Sequence, residues 1–144
     1  MPYSIVDGWQ QIRKDFGYWR ADVVGIRTST DPAERAWFEA DLKLREKLTL
    51  RDIGIWSHYV GDASQPLHVS VHFNGWGNYP NPNSYTTSTA LHAHFEGEFV
   101  KQYLDRIAVA QALIPYQDCR CGIEAKVKTL LFARQGMVVP LYEL

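Results

Sequence analysis

The chain has 144 residues, of which 46% are hydrophobic and 22% charged, and its 15 basic and 16 acidic side chains leave a formal net charge of −1. This composition predicts one globular domain over residues 1–144 and excludes a charge large enough to attract nucleic acid or anionic lipid unaided. No apolar run approaches the roughly 18 residues of a membrane span. The first residues lack the basic start and apolar stretch of a signal peptide.

Hydrophobic residues recur every three or four positions along most of the chain, and no segment alternates as a strand would, so an all-α fold is predicted. A first helix follows an apolar stripe over residues 5–26. Asp31, Pro32 and Glu34 then supply an N-cap, a first-turn proline and an N3 carboxylate for a second helix that continues to Leu48.

Further along the chain, Thr49 with Asp52 predicts the cap of a third helix. Residues 67–88 are rich in glycine, proline and asparagine, which indicates a long loop. A fourth helix is expected over residues 89–107 and a fifth from about Gly122. The sequence therefore predicts a single bundle of about five helices with one long loop between the third and the fourth.

All five histidines fall between positions 58 and 94. His58 with Asp62, and His92 with Glu96, are each four residues apart, a spacing that places both members of a pair on one helix face. His68 lies between the two pairs. Three imidazoles and two carboxylates form a donor set typical of a metal site, and a purely structural polar cluster is the alternative.

The residues around each His–carboxylate pair give further support to this prediction. No charged residue occurs between Asp52 and Asp62, so this stretch of helix is expected to be buried nearly all round. An ionised aspartate in such a place is costly unless it is paired, and a metal cation would satisfy Asp62. On the fourth helix, His92 and Glu96 are predicted to project toward the core, whereas His94 points toward water.

The only two cysteines, Cys119 and Cys121, are separated by a single residue. This separation is too short for an ordinary unstrained disulfide. We therefore expect two incidental thiols, with a redox or crosslinking role as the alternative.

Residues 58–68, with the sequence HYVGDASQPLH, resemble the signature of the superfamily that unites zinc-dependent phospholipase C with the S1/P1 nucleases. The resemblance is secure over about residues 50–100 and implies the helical fold of that superfamily, whose enzymes hold three zinc ions in a cleft and hydrolyse phosphodiesters. The QPLHV wording and Gly77-Asn78 resemble the nuclease branch. The run HAHFE at residues 92–96 is similar to the phospholipase wording.

This resemblance also implies roles for particular residues. His58 would bind the first zinc, and Asp62, the expected catalytic-site carboxylate, would bridge the first and third. His68, His92 and Glu96 would bind the second zinc. The family's upstream ligands, which include a processed N-terminal tryptophan and further histidines, have no counterpart before His58. The chain therefore looks like a family domain without its N-terminal portion, and only one zinc site is complete.

The implied function is that of a zinc-dependent phosphodiester hydrolase, most similar to nucleases that cut single-stranded nucleic acid. Phospholipase C activity is one alternative, and a non-catalytic remnant that retains one structural zinc is another. Family members are commonly exported, so the resemblance implies a secreted or periplasmic protein. A bundle without its first helices is expected to self-associate or to bind the missing segment.

Substrate contacts are expected in the long loop. Three aromatic residues are candidates for stacking on nucleobases, because every base offers an aromatic face: Trp76, Tyr79 and Tyr85. Asn78 is a further candidate substrate contact. The same rings can equally fix the loop to the protein's own surface. His72 in this loop is expected to be solvated, and a hydrogen bond to a metal ligand is the alternative.

Overall fold

The regular structure is helical throughout the part of the chain that the computed structural model describes, namely residues 1–115, 117 and 119–144. No strand occurs in these residues, and a single bridge between Phe73 and Gly75 is the only sheet-like pairing. The predicted all-α fold class is thus confirmed. The chain divides into two compact units, Met1–Asp62 and Ala63–Leu144.

The first unit is built from helix α1 (Pro2–Thr28) and from helix α2 (Pro32–Ser64) up to Asp62. The connection between the two helices is short, and its side chains form hydrogen bonds with exposed backbone groups and with each other. Asp31 accepts a hydrogen bond from the Ala33 amide at 2.8 Å, and the Ser29 hydroxyl donates to Glu34 at 2.6 Å. These contacts confirm the predicted start of the second helix.

Helix α2 corrects the prediction of separate second and third helices. It runs without interruption from Pro32 to Ser64, and Thr49 lies in its middle with only 7% of its surface exposed. The Thr49 hydroxyl has no hydrogen-bond partner among the residues that the structure describes. A threonine with an acidic residue three positions later caps a helix only where a helix begins. No glycine or proline lies between positions 48 and 52, so nothing interrupts the helix here.

Helices α1 and α2 pack through a small apolar contact. Ile5 and Ile12 of the predicted apolar stripe are buried, whereas Phe16 of the same stripe is exposed. The Trp56 indole donates a hydrogen bond to the Ile5 carbonyl at 2.9 Å. A Cβ atom at Gly8 would lie 2.7 Å from the Trp56 ring, so glycine permits this close approach.

The expected burial of the stretch between Asp52 and Asp62 is wrong. Ile55 and Tyr59 are exposed, and the Ser57 hydroxyl returns to its own helix, where it donates to the Gly54 carbonyl at 2.8 Å. Trp56 carries the contact with α1, and a single neighbouring helix covers only one side of α2 in this unit. Absence of charge therefore did not mean burial here.

A polar seam also runs between α1 and α2. Asp22 is buried and faces the Arg45 guanidinium at 2.9 Å, and the same guanidinium binds Asp41 and lies over the Tyr18 ring. Burial raises the pKa of Asp22 and the neighbouring Asp41 raises it further, while Arg45 opposes both. The Arg45 guanidinium thus forms ion pairs with two carboxylates, Asp22 and Asp41.

A second carboxyl contact lies on the same side of α1. Asp15 accepts a hydrogen bond from Gln11 at 2.8 Å. Its pKa is raised, first by burial and then by the charge and hydrogen bond of Asp52. The helices therefore bring two carboxyl groups together in half-buried surroundings.

The second unit is organised around a 3-10 turn (Pro66–Val69). Leu67 of this turn is fully buried, and helices α6 (Ile123–Gln135) and α7 (Val138–Tyr142) contact the turn and contribute the buried residues Val127 and Val138. The core of this unit therefore lies directly beneath the turn that carries His68.

The predicted fourth helix is present but shorter than expected. Helix α3 (Leu91–His94), a π-helical turn (Phe95–Phe99) and helix α4 (Val100–Tyr103) form one continuous run. The run ends because Leu104 is extended and the Asp105 side chain accepts from the Ala108 amide at 2.8 Å, which caps a separate helix α5 (Arg106–Ala112). Tyr103, the last residue of the run, is exposed.

The two cysteines are bonded to each other, contrary to the expected pair of free thiols. Arg120 between them adopts a left-handed backbone with φ of 51°, and the Cα atoms of Cys119 and Cys121 lie 5.2 Å apart. The left-handed residue reverses the chain, which permits a bond that ordinary backbone conformations disfavour.

Among the described residues, no helix combines the length and the apolar character that crossing a bilayer requires.

The position of Thr49 generates the first prediction. Thr49→Val should raise the free energy of unfolding by about 1 kcal/mol, because the substitution removes a buried hydroxyl without a partner and keeps the side-chain shape. Chemical denaturation of the purified protein measures this change. Thr129→Val, which alters an exposed hydroxyl of α6, is the control and should stay within about 0.5 kcal/mol of wild type. Destabilisation by Thr49→Val would indicate a capping role instead.

The raised pKa of Asp15 generates a pH prediction. The folded state holds the Asp15 proton more tightly than the unfolded state, so this group's contribution is fully present below pH 3.8 and is lost as pH rises through the raised pKa. Asp15→Asn stays neutral throughout. The melting temperature of Asp15→Asn minus that of wild type should therefore increase from acid to neutral pH. Asp7→Asn, at an exposed position of α1, is the control. A difference that is constant with pH would refute this interpretation.

Candidate metal centre

Gln65 shapes the turn that presents His68. Its side-chain carbonyl accepts a hydrogen bond from the Leu67 amide and so caps the 3-10 turn, and Pro66 fixes the first backbone angle. Leu67 points into the core. His68, the next residue, is left half-buried at the surface of the second unit.

His68 meets two side chains from the helical run. The Nε2 atoms of His68 and His92 lie 3.0 Å apart, and Oε1 of Glu96 lies 3.3 Å from the first and 3.1 Å from the second. Glu96 stands in the π-helical turn, one helical turn after His92. The structure thus brings together the three residues that the family resemblance assigns to one zinc, and they form a group able to hold a metal ion.

These separations can be compared with those around a metal ion. Ligand atoms about 2.0 to 2.1 Å from a tetrahedral zinc ion lie about 3.3 Å from one another. The three atoms here are 3.0 to 3.3 Å apart. Two imidazole nitrogens and one carboxylate oxygen also match zinc's usual ligands. In geometry and in chemistry, the residues are therefore compatible with a bound metal ion, of which zinc is one.

The tautomer of His92 is fixed by the long loop. His92 Nδ1 lies 3.0 Å from the Phe73 carbonyl oxygen. Because a carbonyl oxygen can only accept, Nδ1 carries the hydrogen, and in a neutral imidazole the lone pair is then on Nε2. That lone pair faces Nε2 of His68 and Oε1 of Glu96. A hydrogen bond of this kind is what orients metal-binding histidines.

Gln65 also holds the third ligand. Its side-chain amide donates to Glu96 Oε1 at 2.8 Å. This hydrogen bond is the main cause of a lowered pKa at Glu96; burial opposes it, and His92 and His68 lower the pKa further. Glu96 is therefore held as a carboxylate, the form that binds a metal.

The loop that supplies the Phe73 carbonyl is fixed by its own aromatic rings. His72 stacks on Trp76 with ring centroids 3.8 Å apart, and Tyr142 of α7 donates a hydrogen bond to the His72 carbonyl at 2.6 Å. Trp76 and Tyr85 both pack against Tyr142. We call His72, Trp76, Tyr79, Tyr85 and Tyr142 the aromatic cluster.

The contacts of the aromatic cluster show which of the predicted loop residues are anchored to the protein and which are exposed. Trp76 donates to the Pro80 carbonyl, and Tyr85 is half-buried and hydrogen-bonded to Glu143, so both fix the loop to the protein's own surface. Tyr79 contacts His72 only edge-on and is 51% exposed, and Asn78 is also exposed. Of the four predicted substrate contacts, Tyr79 and Asn78 are thus the more accessible.

His72 itself corrects the expectation of a solvated loop histidine. It is half-buried, and its Nδ1 hydrogen-bonds the Trp76 carbonyl at 2.8 Å. Its link to the candidate ligands passes through the backbone, since the next residue carries the carbonyl that orients His92.

His58 and Asp62 form a pair of their own in the first unit. His58 Nε2 lies 3.3 Å from Asp62 Oδ2, and the His58 side chain is 74% exposed while that of Asp62 is half-buried. The predicted helix-spaced contact is present. The dry surroundings that the sequence suggested for Asp62 are absent.

His94 behaves as predicted. It is exposed and pairs with Glu98 at 2.7 Å on the outer side of the helical run. The sequence did not predict two groups that orient the candidate ligands, namely the Gln65 side chain and the Phe73 carbonyl. Gln65 had a detectable signal, because a polar residue directly before a proline is a frequent cap of a short turn. A backbone carbonyl carries no sequence signal at all.

Comparisons with protein-family models, with curated proteins and with solved structures found no match to this chain.

The double role of Gln65 generates a prediction. Gln65→Leu should weaken zinc binding about 10- to 100-fold, because Glu96 loses the hydrogen bond that orients it. Competition with a chromogenic zinc chelator measures the affinity, and circular dichroism shows whether the variant folds. Gln102→Leu, at an exposed position of α4, is the control and should bind as wild type does. A folded Gln65→Leu protein with unchanged affinity would rule out this role.

Proposed function

We propose that this chain is a zinc-dependent phosphodiester hydrolase that resembles the S1/P1 nucleases and acts on single-stranded nucleic acid. One observation carries the proposal: His68, His92 and Glu96 present three ligand atoms within 3.0 to 3.3 Å of one another. The same three residues are those that the HYVGDASQPLH motif and the following HAHFE run pointed to.

A bound zinc ion would supply Lewis acidity, which lowers the pKa of a coordinated water toward neutrality and offsets charge on a phosphate. Residues of this chain already hold the three candidate ligand atoms close together. Phe73 fixes the His92 tautomer, Gln65 holds Glu96 in the ionised form, and the 3-10 turn places His68 between them. Little reorganisation is needed for binding, because the ligand atoms already converge.

The substrate contacts in this proposal are narrower than the sequence suggested. Tyr79 and Asn78 are exposed and would meet a nucleotide. An exposed tyrosine stacks on any base, which suits an enzyme without strict sequence preference. Trp76 and Tyr85 would act by holding the loop in place.

His58 and Asp62 remain part of the proposal as ligands of a first and a bridging zinc, with Asp62 as the catalytic-site carboxylate. The support is the motif and their 3.3 Å contact. A secreted or periplasmic location is likewise proposed from the resemblance alone, as is completion of the centre by another segment or a second copy.

One observation favours a second candidate function. Among the described residues, a single group of three ligands converges closely enough to hold a metal ion. One such site suits a protein that keeps one structural zinc without catalysis. Phospholipase C activity is a third possibility within the same superfamily.

Zinc content and cleavage test the proposal together. Wild-type protein purified with zinc should contain two or three zinc ions per chain by elemental analysis and should cleave single-stranded DNA. His68→Ala should lose one zinc and at least about 100-fold of the cleavage rate, because it removes a direct ligand. His94→Ala, at the exposed histidine two residues from His92, should match wild type.

The remaining outcomes are distinct. His58→Ala should leave the His68 site filled, and equal zinc loss from both variants would contradict the ligand assignment. One tightly held zinc without cleavage would support the structural remnant. Release of a phosphorylated headgroup from phospholipid vesicles, without DNA cleavage, would support phospholipase C. Absence of bound zinc would overturn all three.

A further inference from the structure

The bond between Cys119 and Cys121 holds no two elements of the fold together. Both cysteines lie in the segment between α5 and α6, with one residue between them. A disulfide stabilises a fold by restricting the unfolded chain, and the effect grows with the length of the loop that it closes. A bond that encloses a single residue restricts almost nothing. Its formation therefore needs a reason other than fold stability.

The enclosed residue also weakens the bond. Arg120 has a φ of 51°, in the left-handed region that only a few per cent of non-glycine residues adopt. When the bond opens, Arg120 can return to ordinary backbone angles, so relaxation of the backbone favours the reduced form. Cys119 is exposed and Cys121 is half-buried, so Cys119 is the more accessible of the two residues.

We propose that Cys119 and Cys121 form a thiol–disulfide exchange site that reacts with a small thiol of the glutathione class. The thiolate of the small molecule attacks Cys119 Sγ, a mixed disulfide forms, and Cys121 Sγ leaves as a thiolate that takes a proton from water. A second small thiolate attacks the outer sulfur and releases the Cys119 thiolate, which is protonated in turn. The protein disulfide and two small thiols thus become a protein dithiol and one small disulfide.

Exchange in the reverse direction restores the bond. The site therefore reports the thiol balance of its surroundings, in contrast to a structural disulfide, which glutathione does not reduce. Labile and exposed disulfides are the regulatory or catalytic ones. This inference is independent of the zinc centre, since it uses no residue of that centre.

Glutathione equilibration tests the proposal. The folded protein is incubated with defined ratios of reduced and oxidised glutathione and quenched with acid. Free thiols are tagged with a maleimide and counted by intact mass spectrometry. The chain has only two cysteines, so every tag reports this pair. Dithiol and disulfide forms should both be populated within the accessible range of glutathione ratios. A pair that stays oxidised at every ratio, or one that never forms the bond, overturns the proposal.

Two variants isolate the backbone contribution. Glycine populates positive φ about as readily as negative φ, whereas other residues do so in a few per cent of cases. Arg120→Gly should therefore favour the disulfide about tenfold in the glutathione equilibrium. Arg120→Ala removes the same side chain but keeps the left-handed penalty, so the disulfide should be favoured about tenfold less in the alanine variant than in the glycine variant. Equal behaviour of the glycine and alanine variants would contradict the role of the Arg120 backbone.

Discussion

The candidate centre depends on two hydrogen bonds made by the Gln65 side chain. Its carbonyl oxygen caps the turn that presents His68, and its amide group donates to the carboxylate of Glu96. A single planar group therefore links a short turn to a helix that begins more than 20 residues later. Without this link, His68 and Glu96 would belong to two elements with independent positions.

The aromatic cluster gives the same centre its second support. A long loop has little reason to hold one conformation, because its backbone bonds can be made to water. Here the stack of His72 on Trp76 and the hydrogen bond from Tyr142 to the His72 carbonyl fix the chain next to Phe73. The Phe73 carbonyl can then orient His92. Rings that the sequence suggested for substrate contact thus also contribute to ligand geometry.

Features that depend on short-range spacing were predictable from the sequence. The helical fold class, the Asp31 cap, the contact between His92 and Glu96 and the outward direction of His94 all follow from helical periodicity within a few residues. The meeting of His68 with the other two ligands was predictable only through the resemblance to a known family. Nothing in helix geometry alone relates a turn residue to a helix 24 positions away.

Features that depend on tertiary surroundings were not predictable in the same way. Thr49 carries the sequence of a helix cap, yet helix α2 continues through it, because capping signals act only where the chain can break. The segment before Asp62 lacks charge but is exposed, since burial depends on how many elements pack against it. Cys119 and Cys121 bond because Arg120 adopts a rare backbone angle, which composition does not reveal.

The carboxylates of the two units show how surroundings distinguish a candidate metal ligand from an acid that pairs within the protein. Asp15 and Asp22 lie between helices, and burial with a neighbouring carboxyl group raises the pKa of each. Glu96 faces an amide donor and two imidazoles, so its pKa is lowered. A cation that binds Glu96 has no carboxyl proton to displace, whereas one that binds Asp22 would compete with Arg45. The same functional group therefore faces hydrogen-bond donors and imidazoles at Glu96, and a neighbouring carboxyl group at Asp15 and Asp22.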